Sequence, residues 1–137
     1  MYRLTKLVKP TKIFMGKKDY QQLHLVKNFI ENNFKVITIG CNTVRDKNKV
    51  ALSSRNNLLS KKDLLIASKL TKKLIIFKKK LEFKRNIKKI LLQKHKQLEN
   101  ILKIKIEYLE LRNLYNLQSS NTREKSKLFV AYYVRDV

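Results

Sequence analysis

The chain contains 137 residues, a length that suits one domain or two small subdomains. Its 33 Lys+Arg against 10 Asp+Glu give a formal net charge of +23, and two Gly with one Pro exclude collagen-like and Pro/Gly-rich disordered classes. Hydrophobic residues make up 43% of the sequence, too many for a wholly disordered tail, and the single cysteine, Cys41, excludes an internal disulfide framework and a Cys-rich zinc site.

The N-terminal residues do not have the pattern of a targeting segment. Basic residues at Arg3, Lys6, Lys9 and Lys12 leave no apolar core for a secretory signal. Pro10 and the lack of Ser argue against a transit peptide. No apolar run approaches the length of a membrane span. We therefore expect a cytoplasmic protein without a membrane partner.

A strand–helix–strand arrangement is predicted next. The apolar run Lys12–Met15 indicates a buried strand that ends at Gly16. Apolar residues then recur at helical spacing over Leu23–Ile30, and Val36–Ile39 indicates a second strand. This is a parallel βαβ crossover, whose ligand site lies at the carboxyl ends of the strands. Because two strands form a poor freestanding sheet, the sheet needs more strands than this chain supplies.

Two amphipathic helices are predicted after a polar, irregular segment at residues 41–60. Ser60 is the predicted N-cap of the first, with Asp63 in its first turn. The apolar face of this helix comprises Leu64, Ala67, Leu70, Leu74, Phe77 and Leu81. The second helix is predicted over Asn86–Lys103, with Ile87, Ile90, Leu91, Leu98 and Ile101 facing inward.

The end of the chain is predicted to form strands. Ile104–Leu111 has strand-like composition, a polar loop covers residues 116–127, and Leu128–Val134 is a second β-rich run. Two other residue types are interpreted as structural. Cys41 is expected to be a small buried residue. The two histidines, His24 and His95, are expected to lie on helix surfaces or edges and not to act as catalysts.

The high positive charge permits a nucleic-acid interpretation, because Lys and Arg neutralise phosphates and release counterions. The densest basic stretch is Lys69–Lys96, which also contains Phe77 and Phe83. Most basic residues are lysine, however, which suits bidentate recognition poorly, and their spacing fits the solvent side of amphipathic helices. We therefore expect no nucleic-acid partner, and keep a small basic, ribosome-associated nucleic-acid-binding protein as the alternative.

Three segments resemble the pantothenate synthetase (pantoate–β-alanine ligase) family. They are FMGKKDYQQL at Phe14–Leu23, GCNTVRDKNKVALSSRN at Gly40–Asn56 and IEYLELR at Ile106–Arg112. Their order and spacing are similar to those of the family, and the first two segments are the specific ones. The resemblance covers nearly the whole chain but corresponds to only the C-terminal half of the usual enzyme.

The resemblance implies an α/β fold in two parts. Residues 1–60 would be the C-terminal portion of a partial Rossmann-like nucleotidyltransferase domain (strand–helix–strand) that binds ATP and pantoate. Residues 61–137 would be a helical and α+β C-terminal subdomain, truncated at its end. The implied activity is that of an AMP-forming, ATP-dependent acid–amine ligase. With Mg²⁺, pantoate and ATP form pantoyl adenylate and pyrophosphate, and the amine of β-alanine then displaces AMP to give pantothenate.

The resemblance also implies the site residues. The ATP-binding positions are Gly16, Lys17, Lys18, Asp19, Val44, Leu52, Ser53, Ser54 and Arg55, and Gln22 matches the glutamine that holds pantoate. The chemistry of the residues agrees. An ammonium group at a helix start suits a phosphate, and a guanidinium with two hydroxyls suits the charge that moves to pyrophosphate. Helical spacing would place Lys18 and Gln22 on one face, while Asp19 could bind ribose hydroxyls or cap the helix.

The sequence departs from the family pattern in three places. The family's paired histidines near the enzyme's start have no counterpart, so we assign no catalytic residue, and we assign no metal ligand. Asn42 replaces a usual proline. Asn48–Lys49 stands where an Asp-Gly turn is common, so Lys49 must adopt the backbone of a glycine. We therefore expect either a half-enzyme with an N-terminal complementing chain and a homodimer, or an inactive dimerisation remnant.

Overall fold

The computed structural model describes residues 1–81, 86–122 and 124–135. The chain divides into two units, Met1–Val44 and Arg45–Val137. The boundary after residue 60 concerns the domains of the family and stays a prediction.

The first unit is built around the predicted parallel crossover. Strands β1 (Lys12–Gly16) and β2 (Ile37–Cys41) pair in parallel with Met15 opposite Gly40, which confirms the βαβ prediction. Helix α2 (Tyr20–Asn33) packs on one face of this pair and buries Leu23 and Ile30. The elements of this unit are α1 (Tyr2–Val8), β1 (Lys12–Gly16), a 3₁₀ turn (Lys17–Asp19), α2 (Tyr20–Asn33) and β2 (Ile37–Cys41).

Helix α1 was not predicted from the sequence. It has seven residues, too few to show a helical period, and an isolated helix of this length is unstable in water. Contacts with other parts of the unit hold it. The Tyr2 ring lies 6.2 Å from the ring of Phe29 and 5.4 Å from that of Phe34, and Thr5 is buried.

The other face of the β1–β2 pair is uncovered within the first unit. Side chains alternate along each strand, so Phe14 and Ile37 point away from the face that α2 covers, and they are 64% and 59% exposed. Cys41 ends β2 and is also exposed. The prediction that Cys41 is a buried small residue is therefore wrong, because its place at the end of β2 puts it on the face that α2 does not cover.

The second unit contains α3 (Lys61–Lys80), α4 (Ile87–Leu102), β3 (Lys105–Asn113) and β4 (Ser126–Tyr133). Its first helix begins as predicted. The Ser60 hydroxyl accepts from the Asp63 N–H at 3.2 Å, while the Asp63 carboxylate accepts from the Ser60 N–H at 3.1 Å. This capping box confirms Ser60 as the N-cap. The hydrogen bond from the Ser60 hydroxyl to Asp63 is also the main cause that lowers the pKa of the Asp63 carboxyl.

Both predicted apolar helix faces enter one hydrophobic core. On α3 the buried residues include Leu70, Leu74 and Phe77, as predicted. On α4 the prediction is confirmed for Leu91 and Leu98 but wrong for Ile101, which is 54% exposed. Leu102 is buried instead. Residues 91, 98 and 102 form one stripe at spacings of seven and four, and residue 101 lies about 80° from the centre of that stripe.

The two strands of the second unit form an antiparallel pair that covers the helices. Leu109 lies opposite Val130, and the register shifts between Ile106 and Tyr108. Leu109 and Leu111 are buried in the core that α3 and α4 supply. Both predicted strands are confirmed, with bounds that differ by one or two residues. Among the described residues, no helix combines the length and the apolar character needed to cross a membrane.

Candidate functional site

The carboxyl ends of β1 and β2 meet at one edge of the parallel pair, where Gly16 lies opposite Cys41. Gly16 has an extended backbone that any residue adopts, and a Cβ built there would meet nothing within 4 Å. The fold of this unit therefore does not require a glycine at this position. The space beside Gly16 is open to an external group.

Lys17 crosses from the end of β1 to the end of β2. A Cβ at Gly40 would lie 3.1 Å from Cε of Lys17 and 3.0 Å from Cδ2 of Leu23, so the glycine makes room for the lysine stem. The Lys17 ammonium donates to Oδ1 of Asn42 at 3.0 Å. Asn42 is the residue that replaces the proline expected from the family pattern. In this chain it therefore orients Lys17 along the edge of the sheet.

Lys18 and Asp19 are exposed in the 3₁₀ turn that precedes α2. Asp19 occupies the N-cap position, but its backbone (φ −96°, ψ 63°) is not helical, and within the described residues its side chain makes no capping hydrogen bond. One α-helix therefore does not run through Lys18 and Gln22. The prediction that helical spacing places these two on one face is wrong, although Gln22 is exposed in the first turn of α2.

Val44 follows β2 and ends the first unit with an exposed side chain. The other predicted ATP-binding residues belong to the second unit. Leu52 is exposed, and Ser53 caps a 3₁₀ helix over Ser54–Leu58. The sequence predicted an irregular segment here, because a helix of five residues shows no period. The hydroxyl of Ser53 accepts from the Arg55 N–H at 3.4 Å, so it is engaged by the backbone of its own turn.

The side chains of Ser54 and Arg55 are exposed on this 3₁₀ helix. In the part of the chain that the structure describes, the Arg55 guanidinium has no hydrogen-bond or ion-pair partner. Asn56 steadies the turn, because its side-chain amide donates to the Ala51 carbonyl at 3.1 Å. An ordered turn with an unpaired guanidinium is suited to binding an anion.

A tight turn leads into this segment. Lys49 has φ 68°, which confirms that it adopts the left-handed conformation that favours glycine. The Asp46 carboxylate accepts from the Val50 N–H at 2.8 Å, and the Arg45 guanidinium donates to the Lys49 carbonyl at 2.9 Å. Asp46 was not predicted as a turn residue from the sequence. An Asp at the start of a polar four-residue run is the signal that could have identified it.

Buried contacts also join this turn to α3. The Ser68 hydroxyl, on the buried side of the helix, donates to the Asn48 carbonyl at 2.9 Å. A metal cage is not present in the described residues, which contain no group of three or more His, Cys, Asp or Glu side chains that could hold an ion. The predicted site residues thus lie in two separate segments, Gly16–Gln22 with Val44 in the first unit and Leu52–Arg55 in the second.

A parallel strand–helix–strand with polar residues at the carboxyl ends of its strands, followed by an α+β part, is one half of a nucleotidyltransferase-like fold. The family model for pantoate-beta-alanine ligase matches residues 1–137, and the chain belongs to this family. The resemblance and the fold class drawn from the sequence are therefore confirmed. The roles of individual site residues stay predictions.

Curated relatives agree with this assignment. The chain is 41% identical over 134 residues to a bifunctional pantoate ligase/cytidylate kinase of Prochlorococcus marinus subsp. pastoris, covering 90% of this chain and 24% of that protein. It is 30% identical over 145 residues to a pantothenate synthetase of Flavobacterium psychrophilum, covering 98% of this chain and 49% of that protein. The chain thus spans about half the length of the pantothenate synthetases that it matches.

Solved structures of the family are also similar to this chain over about half of their own length. A pantothenate synthetase from Thermus thermophilus has a TM-score of 0.78 and 26% identity, with 99% of this chain and 50% of that chain covered. A pantoate-beta-alanine ligase from Francisella tularensis, in complex with beta-gamma ATP and beta-alanine, has a TM-score of 0.72 and 28% identity, with 99% and 44% covered.

Proposed function

We propose that this chain supplies the C-terminal half of a cytoplasmic pantoate–β-alanine ligase. The reaction is the ATP-dependent condensation of pantoate with β-alanine through pantoyl adenylate. The observation that carries the proposal is the pair of exposed family motifs, Gly16–Gln22 and Leu52–Arg55, in a chain that the family model matches from residue 1 to residue 137. The comparisons do not favour the alternative of a basic nucleic-acid-binding protein.

In the proposed site, the first motif holds the nucleotide and pantoate. The open space beside Gly16 admits the ribose. Among the described residues the Asp19 side chain makes no capping hydrogen bond, and in this proposal it accepts hydrogen bonds from the ribose hydroxyls. The ammonium of Lys18 faces a phosphate, and Gln22 donates to and accepts from pantoate. Lys17 supports the edge of the sheet through Asn42.

The second motif acts on the leaving group. A carboxylate oxygen of pantoate attacks the α-phosphorus of ATP, and the bond to pyrophosphate breaks. Arg55 and the Ser54 hydroxyl stabilise the negative charge that moves to the pyrophosphate, while Ser53 shapes the turn. The amine of β-alanine then attacks the acyl carbon of the adenylate, and AMP leaves.

The described residues offer no protein cage for Mg²⁺. Magnesium commonly binds through substrate phosphates with one or two carboxylates, so any Mg²⁺ would arrive with the phosphates of ATP. No step of the proposal is assigned to it.

The proposed partner is the N-terminal half of a ligase of this family, which would bring the family's paired histidines. The uncovered face of the β1–β2 pair, with Phe14 and Ile37 exposed, supports this partner. Parallel sheets are normally covered on both faces, and a two-stranded sheet is marginal on its own. Homodimerisation of the complete enzyme is part of the same proposal.

The test is AMP release from ATP that depends on both pantoate and β-alanine. We expect no release above background from the chain alone, and release when the N-terminal half of the Flavobacterium psychrophilum relative is added. Lys18→Ala should abolish that release, whereas Lys27→Ala, an exposed lysine on α2, should leave it unchanged. A complex of the two halves that releases no AMP would overturn the proposal, as would full activity of Lys18→Ala.

A further inference from the structure

Two lysines of α3, Lys73 and Lys80, share one side of that helix with Phe77, which Lys94 of α4 contacts. All three lysines are remote from both family motifs in the sequence. Lys94 on α4 is half-buried, and its ammonium lies 5.5 Å from the centre of the Phe77 ring on α3. The same ammonium donates to Oε1 of Gln97 at 2.8 Å. A cation–π contact with the Phe77 ring and a hydrogen bond to Gln97 thus hold the Lys94 ammonium in place.

Lys73 and Lys80 precede and follow Phe77 along α3. They are four residues before and three residues after Phe77, so both share its side of α3. Burial, followed by the positive charges of Lys73 and Lys80, lowers the pKa of Lys94. Among the described residues, no carboxylate forms an ion pair with any of the three lysines.

An uncompensated cluster of like charges is unfavourable in the folded chain, and a bound anion relieves it. We propose that Lys73, Lys80 and Lys94 form a binding site for a compact polyanion of the phosphate class, which contacts the ammonium groups rather than the buried ring of Phe77. A compact ligand fits because Lys73 and Lys80 are two helical turns apart on one side of α3, and Lys94 of α4 reaches Phe77, which lies between them in the sequence. Lysine ammonium groups bind phosphate as point charges, without the fixed fork that arginine offers. This site is independent of the proposed ligase reaction.

The probe is inorganic tripolyphosphate, titrated calorimetrically into the full chain in about 0.15 M salt, where long-range attraction is screened. The test variant is Lys73→Gln/Lys80→Gln/Lys94→Gln. The matched control is Lys72→Gln/Lys89→Gln/Lys96→Gln, which removes three exposed lysines from the same helices and so has the same net charge. We expect about tenfold weaker binding for the test variant and less than about twofold for the control.

Three results would overturn the proposal: no binding by the parent chain, equal losses in the test and control variants, or a loss caused by Lys18→Ala/Arg55→Ala instead. The last result would place the ligand at the family motifs. A second titration uses an RNA oligonucleotide. If the parent chain binds the RNA and both triple variants bind it equally weakly, that binding depends on net charge alone. The variant Lys73→Arg/Lys80→Arg/Lys94→Arg keeps the charges and should keep the binding, which separates loss of the site from loss of the fold.

Discussion

The two units of this chain use the same local connection but differ in how their sheets are covered. In each unit a glutamate near the end of a helix accepts from a backbone N–H of the following strand: Glu31 from Thr38 at 3.0 Å, and Glu99 from Ile106 at 2.8 Å. Beyond this link they diverge. The antiparallel pair of the second unit lies against a core from both of its helices, whereas the parallel pair of the first unit leaves one face open.

The difference shows that secondary structure and sheet pairing do not by themselves make a self-sufficient unit. Strands β3 and β4 are consecutive in the chain and pack on α3 and α4, so their apolar residues are buried within the unit. Strands β1 and β2 need cover on a second face, which α1 and α2 do not supply. Substitutions should therefore affect the two units in different ways.

The largest effect is expected in the core of the second unit. Leu98 is fully buried, so Leu98→Ala should lower the free energy of unfolding by about 2–5 kcal/mol through lost burial and the cavity left behind. Ile101→Ala, on the exposed side of the same helix, should cost less than about 1 kcal/mol. Urea-induced unfolding followed by circular dichroism measures both. An equal loss of unfolding free energy in the two variants would contradict the burial of Leu98 and the exposure of Ile101.

The next largest effect on stability is expected at the start of α3, and the start of α2 serves for comparison. Asp63→Asn removes the capping carboxylate of α3 and should lower the urea midpoint, whereas Asp19→Asn at the start of α2 should change it little, since no side-chain cap is formed there among the described residues. The pKa of Asp63 is lowered in the folded chain, so its stabilisation is present above the pKa of the unfolded chain and is lost as pH falls through the folded value.

The pH series supplies the check on Asp63. The gap in midpoint between the parent chain and Asp63→Asn should be constant near neutral pH and should close as the pH falls below about 4. A gap that stays open in acid would mean that the carboxylate charge is not what stabilises the helix start.

A gain in stability is expected at the end of α4. Lys103 follows this helix with φ 52°, and its N–H donates to the Glu99 carbonyl at 2.8 Å. Glycine adopts this conformation without strain, so Lys103→Gly should raise the free energy of unfolding by about 0.5–1 kcal/mol. Lys96→Gly, in the interior of the same helix, should lower it by about 1 kcal/mol. Thermal unfolding of the two variants should therefore shift in opposite directions.

The smallest effect on stability is expected at the open face of the first unit. Phe14→Ser should change the free energy of unfolding by less than about 0.5 kcal/mol, because the side chain is already exposed. The same change should prevent binding of the N-terminal ligase half, measured by co-purification. Leu25→Ser, an exposed residue on α2, is the control and should leave binding intact. Unchanged binding by Phe14→Ser would remove this face from the proposed contact.

Elements with a strong local signal could be predicted from the sequence. The βαβ crossover followed from apolar runs at two different periods, and the start of α3 followed from Ser60 and Asp63. The left-handed backbone of Lys49 followed from the resemblance, because Asn48–Lys49 stands where the family commonly has an Asp-Gly turn. The segments of the candidate site stay predictions, and their hydrogen bonds could not be predicted from the sequence. The partner of Lys17 depends on Gly40 and Asn42, which are brought beside it only by strand pairing.

The features that could not be predicted depend on tertiary contacts or on very short elements. Helix α1 is held by aromatic contacts with residues far along the chain. The break at Asp19 lies in a three-residue turn, where a continuous helix fits the sequence equally well. Cys41 could not be placed, because its exposure depends on which layers cover the sheet rather than on the strand that carries it.

The uncovered face of the parallel pair has a consequence for the behaviour of the chain at high concentration. Open strand edges and exposed apolar side chains favour contact between copies, and the net charge of +23 opposes it by mutual repulsion. Added salt shortens the range of that repulsion to about 10 Å at 0.1 M without weakening the apolar attraction. Self-association of the chain should therefore increase with ionic strength, so its colloidal stability is greatest in dilute buffer.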